Sequence, residues 1–206
     1  SANLADVDRQ ITDAQSNLAD ADAALQTAAP NYGQLVQQVV PARDVLSALG
    51  PSEALAAVTL TAHGGWIFLL RKDAIDAAPI KGDAASVTAL VKRLRASIET
   101  QTEALPAFDT SSAQALYDAI LGPVTARLAG VKALVVAPSG ALLSVPFSLL
   151  LTGPASPNDL ADAPWLIRQM AVAHVPSPAN FLALRKAGTS RAPQPWFGFG
   201  GFHPVT

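Results

Sequence analysis

The sequence predicts an α/β fold in which a partly parallel sheet is flanked by helices, preceded by a helical arm and a β-hairpin. Residues 131–137 and 170–175 are apolar runs, interrupted by Lys132 and His174 respectively, and they are separated by helix-forming segments. This pattern is typical of parallel strands that are buried on both faces. Apolar, β-branched runs at 54–61 and 66–71 are joined by a glycine-containing turn, which indicates a hairpin. Half of the residues are apolar and only 15% are charged, which excludes intrinsic disorder.

The helical arm is predicted from a heptad pattern in residues 4–28. The large apolar residues of its seam recur every seven positions and are Leu4, Ile11, Leu18 and Leu25. Small apolar residues, including Ala21, lie between these large residues, and Pro30 ends the helix. A dimeric coiled coil and a helix packed within the same chain both remain open. The short length and the alanine-rich alternate positions favour packing against residues 31–40.

The next region, residues 41–110, is predicted to contain the hairpin and a long helix. A short helix begins at Pro41 and ends at Leu49, before a Gly-Pro pair. Residues 73–79 add a third strand to the hairpin, and residues 83–105 have the apolar periodicity of one long helix. Its basic cluster at 92–95 has no interleaved aromatic residues and is interpreted as a solvated face.

The last region, residues 111–206, alternates helices and strands. The elements predicted in chain order are a helix capped by Thr110-Ser111-Ser112, a helix restarted by Gly122-Pro123, a buried strand at 131–137, a short helix after Pro146, a loop at 152–163, a second buried strand at 170–175, a helix at 178–186, a loop at 188–193 and a third strand at 196–199. This order implies right-handed crossovers in a parallel sheet.

The composition excludes several classes of site. The absence of cysteine rules out disulfides, thiolate metal ligands and any cysteine nucleophile supplied by this chain. A formal net charge of −2 gives no basic surplus for nucleic acid. The acidic N-terminus differs from a signal peptide, and no apolar run approaches the roughly 20 residues of a membrane span. We therefore expect no nucleic-acid partner and no membrane partner.

The three histidines are isolated in the sequence. His63 lies in the hairpin turn, His174 lies inside the predicted strand 170–175, and His203 follows the last predicted strand. None has a second ligand at metal-binding spacing. We expect His174 to be half-buried with a structural role, and we predict no metal site, no cofactor site and no catalytic residue in this chain.

Two further patterns resemble catalytic or phosphate-binding motifs. Ser139 is the nearest match to the nucleophile motif G-x-S-x-G, but Ala137 replaces its first glycine and Pro138 precedes the serine. A β-turn is therefore favoured, and a small serine hydrolase is kept as the last alternative. The glycines at 198–201 lack dinucleotide-binding spacing and are not followed by a helix.

Residues 115–206 resemble the first half of a CHAT domain, the caspase-like domain usually attached to tetratricopeptide repeats. The resemblance begins with LYDAILGP and a following strand. It continues with a Pro-x-Gly turn, a Leu-x-x-x-Pro-Phe motif matched by Leu142 and Phe147, a Val-Pro-Ser sequence at 175–177, and a glycine-rich turn near 198–204. Residues 46–70 are similar to the hairpin that often precedes the domain, and the arm would be the linker after the repeats.

The resemblance implies a caspase-like sheet and a relationship to the caspase and separase class of cysteine peptidases, some of whose relatives are catalytically inactive. The family's catalytic His-Gly pair and cysteine lie downstream of Thr206, so no site residue is carried over to this chain. His63 is followed by Gly64, but the pair lies in the hairpin, before the parallel strands. We therefore do not assign His63 as the catalytic histidine.

We therefore expect residues 1–206 to be the N-terminal piece of a bacterial, cytoplasmic CHAT protein, with 1–40 as the arm, 41–110 as hairpin and helix, and 111–206 as half of the CHAT domain. The expected partners are the C-terminal remainder of that domain, in the same polypeptide or as a separate chain, and a protein substrate or protein partner. The alternative from another class is a non-catalytic protein–protein interaction module.

Overall fold

The computed structural model describes residues 39–99 and 106–187, together with six positions of the N-terminal segment: 6, 9, 13, 17, 20 and 21. These six positions are helical and exposed, including Ala21, which the heptad pattern places on the packed seam. The four large seam residues, the loop predicted at 188–193 and the strand predicted at 196–199 lie outside the described residues.

Five α-helices and five strands are described between residues 39 and 187. The helices are α1 (Ala42–Ala48), α2 (Ala84–Ala96), α3 (Thr110–Ile120), α4 (Leu166–Gln169) and α5 (Pro178–Lys186). The strands are β1 (Glu53–Thr61), β2 (Gly64–Arg71), β3 (Ala74–Pro79), β4 (Ala133–Ala137) and β5 (Ala171–His174). Short 3-10 helices occupy Gly122–Leu128, Gly140–Ser144 and Phe147–Leu149.

The five strands form one mixed sheet in the order β3-β2-β1-β4-β5. β1 lies at the centre, antiparallel to β2 and parallel to β4, and β4 is parallel to β5. The predicted α/β fold class is therefore confirmed, together with the hairpin and its third strand. The sheet spans the boundary predicted at residue 110, because β1 from the hairpin region pairs directly with β4 from the CHAT-like region.

Helices cover both faces of this sheet, giving three layers. Alternate residues of β1 point to opposite faces, so Ala56 contacts one apolar core and Leu55 contacts the other. The larger core includes residues of α2 and α3, and the smaller one includes residues of α1 and α5. Because β4 is covered on both sides, four of its five residues are buried, as the sequence predicts.

β5 corrects the prediction of a second buried strand. Ala171, Ala173 and His174 are exposed and only Val172 is partly buried. The reason is its position, because β5 is the outermost strand of the described sheet next to β4. An apolar run in the sequence does not distinguish a central strand from an edge strand.

Local hydrogen bonds set the start of α3 and the end of α2, and both boundaries differ from the prediction. The carboxylate of Asp109 accepts a hydrogen bond from the Ser112 backbone N–H, so Asp109 caps α3, and the predicted Thr-Ser-Ser cap lies within the helix. α2 ends at Ala96 rather than near residue 105. Its last turn tightens because the Ser97 amide and hydroxyl both donate to the Leu94 carbonyl.

Glu53 joins β1 to α5 and to the turn before the strand, and Gly65 allows β2 to approach β1 closely. The Glu53 carboxylate accepts hydrogen bonds from the Gly50 amide at 2.8 Å and from the Arg185 guanidinium at 2.7 Å. The Gly50 hydrogen bond, with the Arg185 contact, outweighs the effect of burial and lowers the pKa of Glu53 from 4.5. Gly65 of β2 lies so close to the Thr59 carbonyl oxygen that a Cβ at this position would overlap it.

Candidate functional site

A cleft of about 780 Å³ opens where β4 and β5 end. Pro138 follows β4, and Val175 and Pro176 follow β5, so both strands lead directly into the cleft. The remaining walls come from Arg95 at the end of α2, from Ile98 and Glu99 just after it, and from the segment around the 3-10 helix Gly140–Ser144. Ligand sites of open α/β sheets lie at the carboxyl ends of parallel strands, which is the position of this cleft.

The walls of the cleft are mostly apolar. Three prolines line the cleft: one follows β4, one follows β5 and one precedes Phe147. Aliphatic side chains between them are Ile98, Leu143, Val145 and Val175. Leu143 is 64% exposed, while its neighbour Leu142 is fully buried in the core. The segment therefore anchors itself through Leu142 and leaves a large apolar side chain at the rim of the cleft.

Arg95 and Glu99 form the charged edge of the cleft. They are one helical turn apart and make an ion pair, and Arg95 also donates a hydrogen bond to the Ser144 carbonyl oxygen at 3.3 Å. The two side chains are 43% and 44% exposed, so solvent screens the pair and it contributes little to stability. The pair matters for the cleft instead, because the Glu99 carboxylate balances the Arg95 charge and the Ser144 carbonyl holds the guanidinium against the opposite wall.

His174 lies at the carboxyl end of β5 and lines the cleft. Its ring is 5.5 Å from the ring of Phe147, which is fully buried and supports it from the core side. The expectation of a half-buried histidine is wrong, because the side chain is exposed at the edge strand. Among the described residues the imidazole has this ring contact and no hydrogen-bond partner.

Ser139 has a structural role in the described fold. Its hydroxyl oxygen accepts a hydrogen bond from the Leu60 amide at 3.1 Å, which ties the end of β1 to the end of β4. Its φ of −129° is extended, whereas a nucleophile elbow holds the serine in a strained turn. Ser139 is also not among the residues that line the cleft. These observations give the serine hydrolase alternative no support.

Two other candidates from the sequence, His63 and Arg93, are not among the residues that line the cleft. His63 occupies the exposed turn between β1 and β2, and its backbone amide donates to the Thr61 hydroxyl at 3.4 Å. Arg93 of the basic cluster donates to the Ser112 hydroxyl at 3.2 Å, so it links α2 to α3. His203 lies outside the described residues. No group of three His, Cys, Asp or Glu residues in the described part of the chain could hold a metal ion.

The composition of the cleft could not be found from motif spacing. It joins Arg95, Leu143 and His174, which belong to three separate elements far apart in the sequence. The available signal was the position of the two predicted parallel strands, whose carboxyl ends at 138 and 176 must share one edge of the sheet. That signal locates the edge but not the helix end that closes it.

Comparison with known protein families identifies the stretch of the chain that contains β4 and β5. Residues 110–202 match the family described as the CHAT domain, a caspase-like family. A search among curated proteins found no match. No helix in the described ranges is long and apolar enough to cross a membrane. The matched stretch contains β4, β5 and both of the loops that leave these strands for the cleft. Residues 110–202 of this chain are therefore similar to the CHAT domain, as the resemblance implied.

Proposed function

We propose that this chain forms the scaffold and the substrate cleft of a caspase-like CHAT-domain cysteine peptidase. The observation that carries the proposal is the position of the apolar cleft at the carboxyl ends of β4 and β5, two strands that lie within the stretch that matches the CHAT family. In α/β enzymes this edge of the sheet is where substrates bind and where catalytic residues are placed.

The proposal assigns the catalytic residues to polypeptide outside residues 1–206. This chain contains no cysteine, so it cannot supply a thiolate nucleophile. β5 supports an assembly with further CHAT-domain sequence, because it is the outermost described strand and is largely exposed. An open edge strand presents unpaired N–H and C=O groups that can pair with another strand. We propose that the remainder of the domain packs beyond β5.

The proposed reaction is peptide-bond hydrolysis by covalent catalysis. An imidazole takes the proton of the cysteine thiol, and the thiolate attacks the peptide carbonyl carbon. The C–N bond breaks, the amine leaves with the proton, and the acyl-enzyme thioester is hydrolysed by water. Residues 1–206 contribute the binding of the substrate chain beside this centre. A bacterial, cytoplasmic setting belongs to the same proposal.

The test is a cleavage assay on the complete product of the gene. A mixed peptide library is incubated with that product and the fragments are identified by mass spectrometry. We expect cleavage that iodoacetamide abolishes, and no cleavage by residues 1–206 alone. Ser139→Ala is the control and should cleave normally, because among the described residues its hydroxyl makes the structural link to Leu60. Failure of the complete product to cleave, or cleavage that resists alkylation, would refute the proposal.

An uncovered aromatic surface favours the interaction module as the second candidate. Trp66 and Phe68 of β2 are 48% and 38% exposed, and their rings stack with centroids 6.5 Å apart. Ile75 of the neighbouring strand β3, which pairs with Leu70, is 49% exposed. Exposed apolar clusters of this kind mark protein-binding surfaces. Sedimentation analysis of Trp66→Ser and of the parent chain tests self-association through this face.

A further inference from the structure

We infer that the cleft beside His174 selects an uncharged, aliphatic segment of the substrate chain. This inference rests on the proposed function, because it names the class of peptide that the proposed peptidase would recognise. It follows from the apolar walls, the exposed leucine at the rim and the balanced charges of the same cleft.

The walls offer contacts that an aliphatic side chain can use. Ile98, Val145 and Val175 line the cleft from three different segments of the chain; Ile98 is partly buried and the two valines are buried beneath the cleft surface. A cleft of about 780 Å³ lies within the range that encloses drug-sized ligands, so it accepts more than a single side chain. Leu143 is largely exposed at the rim, and an apolar occupant would remove it from water.

The charges at the cleft disfavour acidic and basic side chains alike. Arg95 is bound by the Glu99 carboxylate and by the Ser144 carbonyl oxygen, so an incoming acid meets a cation that is already paired. The Glu99 carboxylate also repels the acid. A basic side chain would have to compete with Arg95 for Glu99. Since no other Lys, Arg, Asp or Glu lines the cleft in the described part of the chain, an uncharged occupant is favoured.

Peptide binding to residues 1–206 tests the inference without catalysis. The probes are N-acetylated, C-amidated tripeptides with alanine at both ends and leucine, aspartate or lysine in the centre. Binding is followed at pH 8 by amide and imidazole chemical shifts. We expect the leucine peptide to shift His174 and its cleft neighbours and to bind about tenfold or more tightly than the charged peptides. Equal binding of all three, or shifts confined to another surface, would overturn the inference.

Two variants with a matched control locate the binding in the cleft. Leu143→Asp should weaken binding of the leucine peptide about tenfold or more. Leu184→Asp is the control, because Leu184 is 67% exposed on α5 and lies outside the cleft. Glu99→Gln should strengthen binding of the aspartate peptide severalfold by leaving the Arg95 charge unpaired. Circular dichroism verifies that each variant is folded. If folded Leu143→Asp and Glu99→Gln both bind like the parent chain, the inference is wrong.

The outcomes separate this inference from the proposed function. If the complete gene product cleaves peptides but residues 1–206 show no preference for leucine, the inference fails and the peptidase proposal stands. If residues 1–206 prefer leucine but the complete product cleaves nothing, the cleft is a binding site and the peptidase proposal fails.

Discussion

Phe147 is the residue whose replacement tests the packing that supports the cleft. It is the largest of the fully buried side chains, and it stands directly behind His174 with a centroid separation of 5.5 Å. Its neighbours in sequence, Leu150 and Leu151, are also fully buried, so little of the surroundings can collapse into a void. Phe147→Ala should therefore cost about 3–5 kcal/mol, the usual sum of lost transfer energy and cavity energy for a buried phenylalanine.

Urea unfolding of residues 1–206, followed by circular dichroism, measures this cost. Domains of this kind have a total stability of about 5–15 kcal/mol, so Phe147→Ala could leave little folded protein. Phe147→Leu keeps most of the volume and should cost less than about 1.5 kcal/mol, which provides a folded second variant. Phe68→Ala is the control, because the same side chain is removed from a position that is 38% exposed. The reasoning is refuted if Phe147→Ala costs no more than Phe68→Ala.

Three further predictions concern the scaffold. Gly65→Ala should destabilise the chain by about 1–3 kcal/mol because its Cβ would overlap a backbone carbonyl. Gly122→Ala should cost less, because its Cβ would lie 3.7 Å from the Tyr117 carbonyl oxygen. Equal thermal unfolding temperatures for the two variants would contradict this. Asp109→Ala removes the cap of α3 and should cost about 1 kcal/mol in urea unfolding, while a neutral result would show that the cap is dispensable. The pKa of Glu53 is lowered in the folded chain, so its contribution is present above 4.5 and is lost as the pH falls through the lowered pKa; Glu53→Gln should therefore flatten the acid limb of a stability–pH curve, and an unchanged curve would exclude this role.

The strands of the hairpin and the central parallel strand were predictable because their physical signals are local. A glycine-containing turn between β-branched runs defines β1 and β2, and Gly64 has the positive φ, 135°, that the turn requires. β4 is an uninterrupted apolar run because helices cover both of its faces. In these segments the local sequence therefore predicts the structure that the tertiary environment requires.

The rest depended on tertiary placement. β5 has nearly the same composition as a central strand, and only the strand order of the described sheet shows that it is the outermost strand there. The last turn of α2 was expected to continue, since the following residues include no proline or glycine before residue 106. It ends at Ala96, and Arg95 then reaches the Ser144 loop, which closes the cleft. A contact between positions 49 residues apart cannot be predicted from the local sequence around either position.

Steady-state cleavage by the complete gene product most directly tests whether the cleft of this chain is the substrate cleft of a CHAT peptidase. The measurement is kcat/KM for a leucine-containing peptide, with Leu143→Asp compared against Leu184→Asp. We expect kcat/KM to fall about tenfold or more for Leu143→Asp and to stay unchanged for Leu184→Asp. Equal values for Leu143→Asp and the parent, or no cleavage by the parent, would contradict it.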